Sequence, residues 1–212
     1  MALKFLSKTE TTRIILGHST LCEPNNGGEM GQDDRLLEKK IDGERLYEGR
    51  ILDLEVDRVL LASGNEATRE VIRHKGAVVV LPLHEDGRVE FVRQHRYPTG
   101  EVLLELPAGK LDPGEQPAVC AARELAEETG WKPVEIRELG SFFTTPGFTD
   151  EVLHAFIATP LEPAPAVAQD PDEAIEIVTM SVEEALGACR SGEIRDSKTI
   201  ATLFLARLEG WI

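Results

Sequence analysis

One continuous stretch, residues 109–131, constrains this chain more than any other feature, and it reads GKLDPGEQPAVCAARELAEETGW. It begins with a loop rich in glycine and proline. Pro117 suits the first turn of a helix, where its missing N–H costs no hydrogen bond. Gly130 suits the position just after the last helical turn. The stretch therefore predicts a loop followed by a short helix between these two residues.

Three glutamates of the predicted helix, Glu124, Glu127 and Glu128, stand at i, i+3 and i+4, so their carboxylates share one face. Like charges at this spacing destabilise a helix by roughly 0.2–0.5 kcal/mol per pair. A bound cation would offset that cost, and oxygen ligands without Cys or His suit Mg²⁺ or Mn²⁺. The alternative is a solvated acidic face, and helical spacing alone leaves both interpretations open.

The spacing of the whole stretch carries a family resemblance. Gly109, Glu115 and the run from Arg123 to Trp131 match the Nudix box, G-x5-E-x7-R-E-U-x-E-E-x-G-U, without a gap. Trp131 fills the last bulky position, which is a mild variation. The chain therefore resembles the Nudix hydrolases, which cleave a nucleoside diphosphate linked to another group.

This resemblance implies a metal site and part of the catalytic machinery. The implied ligands of Mg²⁺, or alternatively Mn²⁺, are the backbone carbonyl of Ala108 and the carboxylates of Glu115, Glu124, Glu127 and Glu128. Glu115 is expected to bind a second ion weakly. Arg123 is expected to brace the loop against the helix through an acid rather than to touch the substrate.

Composition sets limits on partners and compartment. The 212 residues fit one domain with a sizeable core. The formal net charge of −15 disfavours nonspecific binding to nucleic acid or to an anionic membrane. No apolar run reaches transmembrane length. Three cysteines, Cys22, Cys120 and Cys189, have no metal-type spacing, so we expect free thiols and a cytoplasmic location.

The chain divides into three predicted parts: an N-terminal extension over residues 1–40, a strand unit over 41–73 and the catalytic domain over 74–212. The Asn25-Asn26-Gly27-Gly28 run predicts a linker. Translation beginning at Met30 is one interpretation of the extension, and a short ordered strand within residues 11–16 is the other.

The strand unit is predicted from alternation. Leu52, Leu54 and Val56 alternate with acids, which is typical of a half-buried strand. The unit is too small to bury a core alone. It resembles the N-terminal strands that ADP-ribose pyrophosphatases exchange between subunits, which implies a homodimer. In that branch of the family, Arg69 and Glu70 would read the adenine from across the dimer; an exposed strand pair is the alternative.

The catalytic domain is expected to begin with two strands. Residues 77–83 form an apolar run that predicts a strand buried on both faces. Asp86-Gly87 predicts a hairpin turn into a return strand over residues 89–94. The V-x-Q-x-R ending of that strand resembles the ADP-ribose branch and implies that Arg96 binds substrate phosphates. His95 is expected to be a bystander.

Two segments after the box resemble the same branch. Pro146 and Gly147 lie in a PGFTDE segment, sixteen residues beyond Gly130, between predicted strands over 135–143 and 151–158. This implies a substrate-binding turn there. Residues 161–172 predict a long loop beside the site. The resemblance implies that this loop brings Glu173, or alternatively Asp172, to the attacking water; a solvated acidic loop is the other interpretation.

The C-terminal region predicts two capped helices after a strand over residues 175–180. Ser181 and Glu184 form a capping-box pattern, and Asp196 caps the last helix. The last helix is expected to pack through a single apolar stripe made of Ile200, Leu203, Phe204 and Leu208.

Together these patterns predict an α/β fold, a Nudix-type α/β/α sandwich with a mixed sheet and a small N-terminal antiparallel strand unit. The resemblance implies a homodimeric, Mg²⁺-dependent enzyme that hydrolyses ADP-ribose or a related ADP-sugar to AMP and ribose 5-phosphate. One alternative is a Nudix pyrophosphatase for another nucleotide sugar or a dinucleotide. A non-catalytic ADP-ribose sensor is the alternative of another class, and the intact box glutamates weigh against it.

Overall fold

The computed structural model describes residues 13–15, 35–165 and 174–212. Its strands within these ranges are β1 (Arg13–Ile15), β2 (Lys39–Glu48), β3 (Asp53–Leu60), β4 (Glu66–Arg73), β5 (Ala77–Pro82), β6 (Arg88–Arg96), β7 (Glu101–Glu105), β8 (Ala108–Lys110), β9 (Trp131–Pro133), β10 (Glu135–Phe143), β11 (Val152–Ala158), β12 (Leu161–Pro163) and β13 (Ile175–Ser181). Its helices there are α1 (Pro117–Thr129), α2 (Val182–Ser191) and α3 (Ser197–Leu208).

The central sheet is mixed, with strand order β1-β10-β11-β5-β8. Strand β5 lies between β11, to which it is parallel, and β8, to which it is antiparallel. Every residue of β5 is buried, so the strand predicted to be covered on both faces is confirmed. Strand β1 pairs in parallel with β10 at the edge of the central sheet. It lies within residues 11–16, where a short ordered strand was one of the two interpretations of the sequence.

A second sheet has the order β13-β6-β7. The predicted return strand is present as β6, and an isolated antiparallel bridge between Leu83 and Val89 links it to the end of β5. Strands β11 and β8 occupy the two sides of β5, so β6 pairs with β13 and β7 in the second sheet. The turn itself is present, with Gly87 at φ 80°.

Helices cover both faces of the central sheet. Val78 and Val80 of β5 face α1, where they pack with Ala121 and Leu125. The alternate residues of β5 face the second core cluster, which includes residues of α2 and α3. The predicted α/β/α sandwich is therefore confirmed, and it fixes the box helix on one face of the sheet.

The predicted apolar stripe of α3 is wrong. Leu203 is buried, but Phe204 and Leu208 are 61% and 67% exposed, and Ile200 is exposed as well. The residues of α3 that are buried are Thr199, Thr202, Leu203 and Ala206. Threonines can face the interior here because their hydroxyls are hydrogen-bonded, as in the 2.7 Å bond from Thr202 Oγ1 to the Lys198 carbonyl.

The predicted strand unit is present as the antiparallel sheet β2-β3-β4. The predicted alternation of buried apolar residues with exposed acids is wrong at two positions, because Asp57 is buried while Leu52 is exposed. Lys40 and Arg73 form ion pairs with Asp57 at 2.6 and 3.1 Å, and those charges compensate its burial. All of β2 is exposed, including Leu46.

The described helices include none that is long and apolar enough to cross a bilayer.

Candidate active site

The box folds as the sequence predicts. Pro117 occupies the start of α1, and Gly130 follows its end in the left-handed region at φ 75°. The Gly130 N–H donates to the Ala126 carbonyl at 3.0 Å and closes the last turn. The helix buries one face against the sheet and turns Glu124 and Glu127 toward a cavity.

Arg123 links the box loop to the box helix. Its Nε and Nη2 donate to the two oxygens of Glu115, both at 3.0 Å. Its Nη1 donates to Glu124 at 2.8 Å and to Glu127 at 3.0 Å. The Asp112 N–H donates to Glu115 at 3.0 Å, which holds the loop against the same carboxylate. One guanidinium therefore contacts three carboxylates, and Glu115 is the acid through which it braces the loop against the helix.

These contacts shift the acidity of the cluster. Hydrogen bonds from Arg123 lower the pKa of Glu115 to about 2, against a smaller opposing effect of burial. The same bonds to Glu115, together with the charge of Glu124, raise the pKa of Arg123 above its usual value. Burial raises the pKa of the neighbouring Cys120 thiol to about 12, so this cysteine is a packing residue rather than a nucleophile.

The other box carboxylates contact the backbone where the loop begins. Glu128 is buried, and its Oε2 accepts a hydrogen bond of 3.1 Å from the Ala108 N–H. A Cβ atom at Gly109 would collide with the Glu124 carboxylate. Glycine at position 109 therefore lets the Glu124 carboxylate pack directly on the backbone, and any other residue there would require that carboxylate to shift.

The donor set suits a hard divalent cation, because it consists of carboxylate oxygens with a backbone carbonyl nearby. Within the described ranges, however, no three acidic, imidazole or thiol groups converge into a preassembled metal site. The hydrogen bonds to Arg123 direct Glu124 and Glu127 toward the guanidinium. Metal binding at the oxygens that accept from Arg123 would compete with these two hydrogen bonds.

A cavity of about 890 Å³ opens beside the box helix. Its wall includes Glu124, Glu127 and Glu128 together with Ala108. Arg96, at the end of β6, lines the same cavity, as its predicted role requires. The structure thus brings four of the five predicted metal-site residues to one cavity with the predicted phosphate-binding arginine, whereas Glu115 is not part of the lining.

Residues at the start of α3 also line this cavity, and the sequence did not single them out for function. Lys198 and Asp196 lie there, and Lys198 forms ion pairs with Asp196 at 3.0 Å and with Glu105. The sequence did hold a signal for Lys198, because a cation in the first turn of a helix interacts unfavourably with the helix dipole. A lysine in this position needs an acidic partner close to it in the folded protein, and Glu105 and Asp196 are those partners.

Arg96 is held by the same buried acid. Its Nε and Nη2 donate to the two oxygens of Glu105 at 2.8 and 2.7 Å. Glu105 raises the pKa of Arg96 above its usual value. Burial opposes ionisation of Glu105, but Arg96 and Lys198 outweigh it and leave its pKa below the ordinary value.

The PGFTDE segment borders the cavity through its flanks. Thr144, Thr145 and Glu151 line the cavity, and Thr144 Oγ1 donates to Glu151 at 2.6 Å. Pro146 and Gly147 are exposed at the turn between them and are not part of the lining. Their predicted substrate contact stays a prediction.

Asp150 connects the PGFTDE segment to the strand unit through hydrogen bonds. It accepts hydrogen bonds from the His74 N–H at 2.7 Å and from Arg73 at 3.3 Å. The end of β4 is therefore tied to a loop that borders the cavity.

The predicted adenine-reading residues lie away from this cavity. Arg69 is on β4 and donates to Glu38 at 2.9 Å, and neither Arg69 nor Glu70 is part of the lining. Their predicted role requires a second subunit, so it stays a prediction. Glu173 and Asp172 lie outside the described residues.

Comparison with known proteins identifies the family. The model of the NUDIX domain matches residues 73–203, well over half of the chain. This chain belongs to the Nudix family. The box geometry described above is therefore the defining motif of a hydrolase domain.

Three curated relatives cover most of this Nudix chain. An ADP-ribose pyrophosphatase of Bacillus subtilis (strain 168) is 39% identical over 165 residues, which are 77% of this chain and 89% of the relative. A protein named methanol dehydrogenase activator of Bacillus methanolicus is 39% identical over 173 residues, covering 81% and 94%. An ADP-ribose pyrophosphatase of Mycobacterium tuberculosis (strain ATCC 25618 / H37Rv) is 37% identical over 163 residues, covering 76% and 79%.

A solved structure has the same fold. The crystal structure of an ADP compounds hydrolase superposes with a TM-score of 0.75 at 21% identity, covering 84% of this chain and 98% of the other. The likeness confirms the Nudix-type arrangement of the sheet and helices.

Proposed function

We propose that this Nudix hydrolase cleaves the diphosphate of ADP-ribose, or of a related ADP-sugar, to AMP and ribose 5-phosphate. One observation carries the proposal. The three box carboxylates of α1, Glu124, Glu127 and Glu128, share a cavity with Arg96 and Lys198, in a chain 39% and 37% identical to two ADP-ribose pyrophosphatases. Carboxylates that can hold a divalent cation, next to cations that can hold phosphate, are what hydrolysis of a diphosphate requires.

The proposed metal is Mg²⁺, with Mn²⁺ as the alternative. Glu124, Glu127, Glu128 and the Ala108 carbonyl would hold it, and Glu115 would bind a second ion weakly after leaving Arg123. When bound, the metal neutralises charge on the diphosphate and lowers the pKa of a coordinated water. Intact box glutamates favour this enzyme over a non-catalytic sensor.

The protein's own cations would orient the substrate. Arg96 presents a planar guanidinium that can match two phosphate oxygens, and Lys198 adds a point charge beside it. Both offset the repulsion between a diphosphate and a chain of net charge −15. Water attacks one phosphorus, the bond from that phosphorus to the bridging oxygen breaks, and the two monophosphates leave.

The proposed base for the attacking water is Glu173, with Asp172 as the alternative. Both precede β13, whose first residue Ile175 lines the cavity. Their closeness in sequence to a residue of the cavity wall is the support for proposing that one of them meets a water bound there. Its proposed task is to accept the proton that the water loses as it attacks.

We also propose a homodimer in which Arg69 and Glu70 read the adenine in the partner's site. The support is the sheet β2-β3-β4, which exposes Leu46 and Tyr47 on β2, with Ile51 exposed in the turn that follows. A cytoplasmic location is proposed with it, supported by the free thiols of Cys120 and Cys189.

The test is a substrate panel on the full chain with Mg²⁺. Values of kcat/KM are measured for ADP-ribose, GDP-mannose, NADH and diadenosine polyphosphates, and products are identified by chromatography. We expect ADP-ribose to be preferred and AMP to be released. A clear preference for a substrate that is not an ADP-sugar would overturn the assignment within the family. Absence of turnover with tight binding of ADP-ribose would favour the sensor.

A further inference from the structure

The buried acid between the two cations of the cavity has no part in the reaction as proposed. Glu105 ends β7, is 1% exposed, and lies opposite Val92 of β6. Burying a carboxylate this deeply is costly unless charged partners surround it. Its partners, Arg96 and Lys198, are both cavity residues.

The contacts of Glu105 fix the direction of both cations. Arg96 approaches it in a fork, with one hydrogen bond to each oxygen at 2.8 and 2.7 Å. This geometry determines the plane of the guanidinium as well as its position. Lys198 reaches Glu105 from the start of α3, so strands β6 and β7 and helix α3 meet at one carboxylate.

A second set of hydrogen bonds ties this cluster to the box. The Leu106 N–H donates to Thr199 Oγ1 at 2.8 Å, and that hydroxyl donates to Asp196 at 2.6 Å. Asp196 also forms an ion pair with Lys198. Leu106 is two residues before Ala108, whose N–H holds Glu128. The network therefore joins the cation side of the cavity to the carboxylate side.

We propose that Glu105 is a positioning residue, which holds Arg96 and Lys198 at the orientation in which they receive the substrate phosphates. The inference rests on the proposed function only in requiring that these two cations bind phosphate. It does not depend on which nucleotide sugar is preferred. Glu105 itself stays behind the cations, out of reach of the substrate.

Two explanations of Glu105 predict opposite effects on KM. If the acid merely neutralises charge, its removal leaves more positive potential for a diphosphate, and KM falls. If it positions the cations, its removal frees them, and KM rises. Because the cations bind phosphate in the ground state as well, we expect the loss in KM more than in kcat.

The experiment is a double-mutant cycle on the full chain with saturating Mg²⁺, using Arg96→Ala, Glu105→Gln and both together. Glu105→Gln should lower kcat/KM by roughly 10- to 100-fold through a higher KM. The kcat/KM of the double variant should fall no further than that of Arg96→Ala, except for the part of the effect that Glu105 exerts through Lys198. The reason is that Glu105 contributes to phosphate binding only through these two cations. Losses that multiply independently, or a lower KM for Glu105→Gln, would overturn the proposal.

Glu90→Gln is the matched control. Glu90 is a buried acid of the same sheet, 5% exposed, bonded to His84 at 2.8 Å and to Thr179 at 3.1 Å, but it does not line the cavity. Both variants should lose thermal stability, whereas Glu90→Gln should keep the wild-type KM. If Glu105→Gln and Glu90→Gln changed KM equally, Glu105 would have only a structural role and the proposal would be wrong.

Two further measurements keep the test decisive. Glu105→Asp retains the charge but shortens the side chain, so positioning predicts a raised KM and simple neutralisation predicts a normal one. This variant carries the test if Glu105→Gln does not fold. The dissociation constant of inorganic pyrophosphate with Mg²⁺, measured by calorimetry, should rise in parallel with KM. Because pyrophosphate binding needs no turnover, failure of ADP-ribose hydrolysis alone would refute the proposed function and leave this readout standing.

Discussion

Arg123 donates two hydrogen bonds of 3.0 Å to Glu115, one to each carboxylate oxygen, and so joins the box loop to the box helix. The same guanidinium contacts Glu124 and Glu127. In this arrangement Arg123 stabilises carboxylates that would otherwise repel one another. Metal binding at Glu124 and Glu127 would therefore compete with Arg123 for two glutamates, and the contact of Arg123 with Glu115 would be given up only to a second ion.

Replacing Arg123 by lysine should destabilise the metal-free protein by about 1.5–3 kcal/mol, because an ammonium cannot reproduce the forked bonds. Saturating Mg²⁺ should recover part of this loss, since the ion neutralises Glu124 and Glu127. The measurement is urea unfolding with and without Mg²⁺. Arg88→Lys is the control, because Arg88 pairs with exposed Asp86 at the surface. Equal losses in both variants would contradict the role given to Arg123.

Glu127→Gln and Glu128→Gln should each lose most of the activity and remain folded, because each removes a proposed metal ligand. Thermal unfolding without metal should show no loss for Glu127→Gln, because one of three crowded charges disappears and the amide oxygen can still accept the hydrogen bond from Arg123. Turnover is measured with saturating Mg²⁺. Glu193→Gln, at an exposed acid before α3, should behave as the wild type. Wild-type rates in either box variant would refute the metal assignment.

Glu173→Gln should lower kcat by about 10²-fold or more, the scale expected for a lost general base. Metal affinity should stay unchanged, since this residue is not a proposed ligand. Calorimetry with Mg²⁺ and steady-state kinetics separate the two effects. If Asp172→Asn is damaging and Glu173→Gln is silent, the base is the neighbouring acid; if both are silent, the base lies within the box.

The proposed dimer should require the exposed apolar residues of β2. Leu46→Asp and Tyr47→Asp should shift light scattering toward the monomer mass and abolish ADP-ribose hydrolysis. Phe204→Asp is the control, as Phe204 is equally exposed but lies on α3. Deletion of residues 1–29 should leave activity nearly unchanged, whereas deletion through Arg58 should remove both dimer and activity. A monomeric, fully active wild type would contradict the exchange of strands.

The capping box of α2 gives a pH-dependent prediction. Glu184 accepts hydrogen bonds from the Ser181 backbone N–H and hydroxyl, both at 2.8 Å, and these bonds lower its pKa below the ordinary value of 4.5. A carboxyl with a lowered folded-state pKa stabilises the protein above its ordinary pKa, and that contribution is lost as pH falls. Glu184→Gln should therefore destabilise at neutral pH and approach the wild type in acid. Urea midpoints across pH test this, with Glu183→Gln in the same turn as control.

The box could be predicted in detail because its signals are local. Pro117 and Gly130 set the ends of α1, and the spacing of three glutamates set their common face. The capping pattern at Ser181 is equally local, and both of its hydrogen bonds are present. Each of these features depends on neighbours within four residues, so the sequence alone determined them.

Tertiary structure decided what faces the core and what completes the cavity. Phe204 and Leu208 looked like packing residues, yet Thr199 and Thr202 are buried instead, because hydroxyls that are hydrogen-bonded can take the interior face of α3. Glu105 and Lys198 are ninety-three residues apart in the chain and meet only in the folded protein. Helical spacing and motif matching cannot reveal such a pair, since an ion pair of this separation exists only after the sheet and the last helix have packed together.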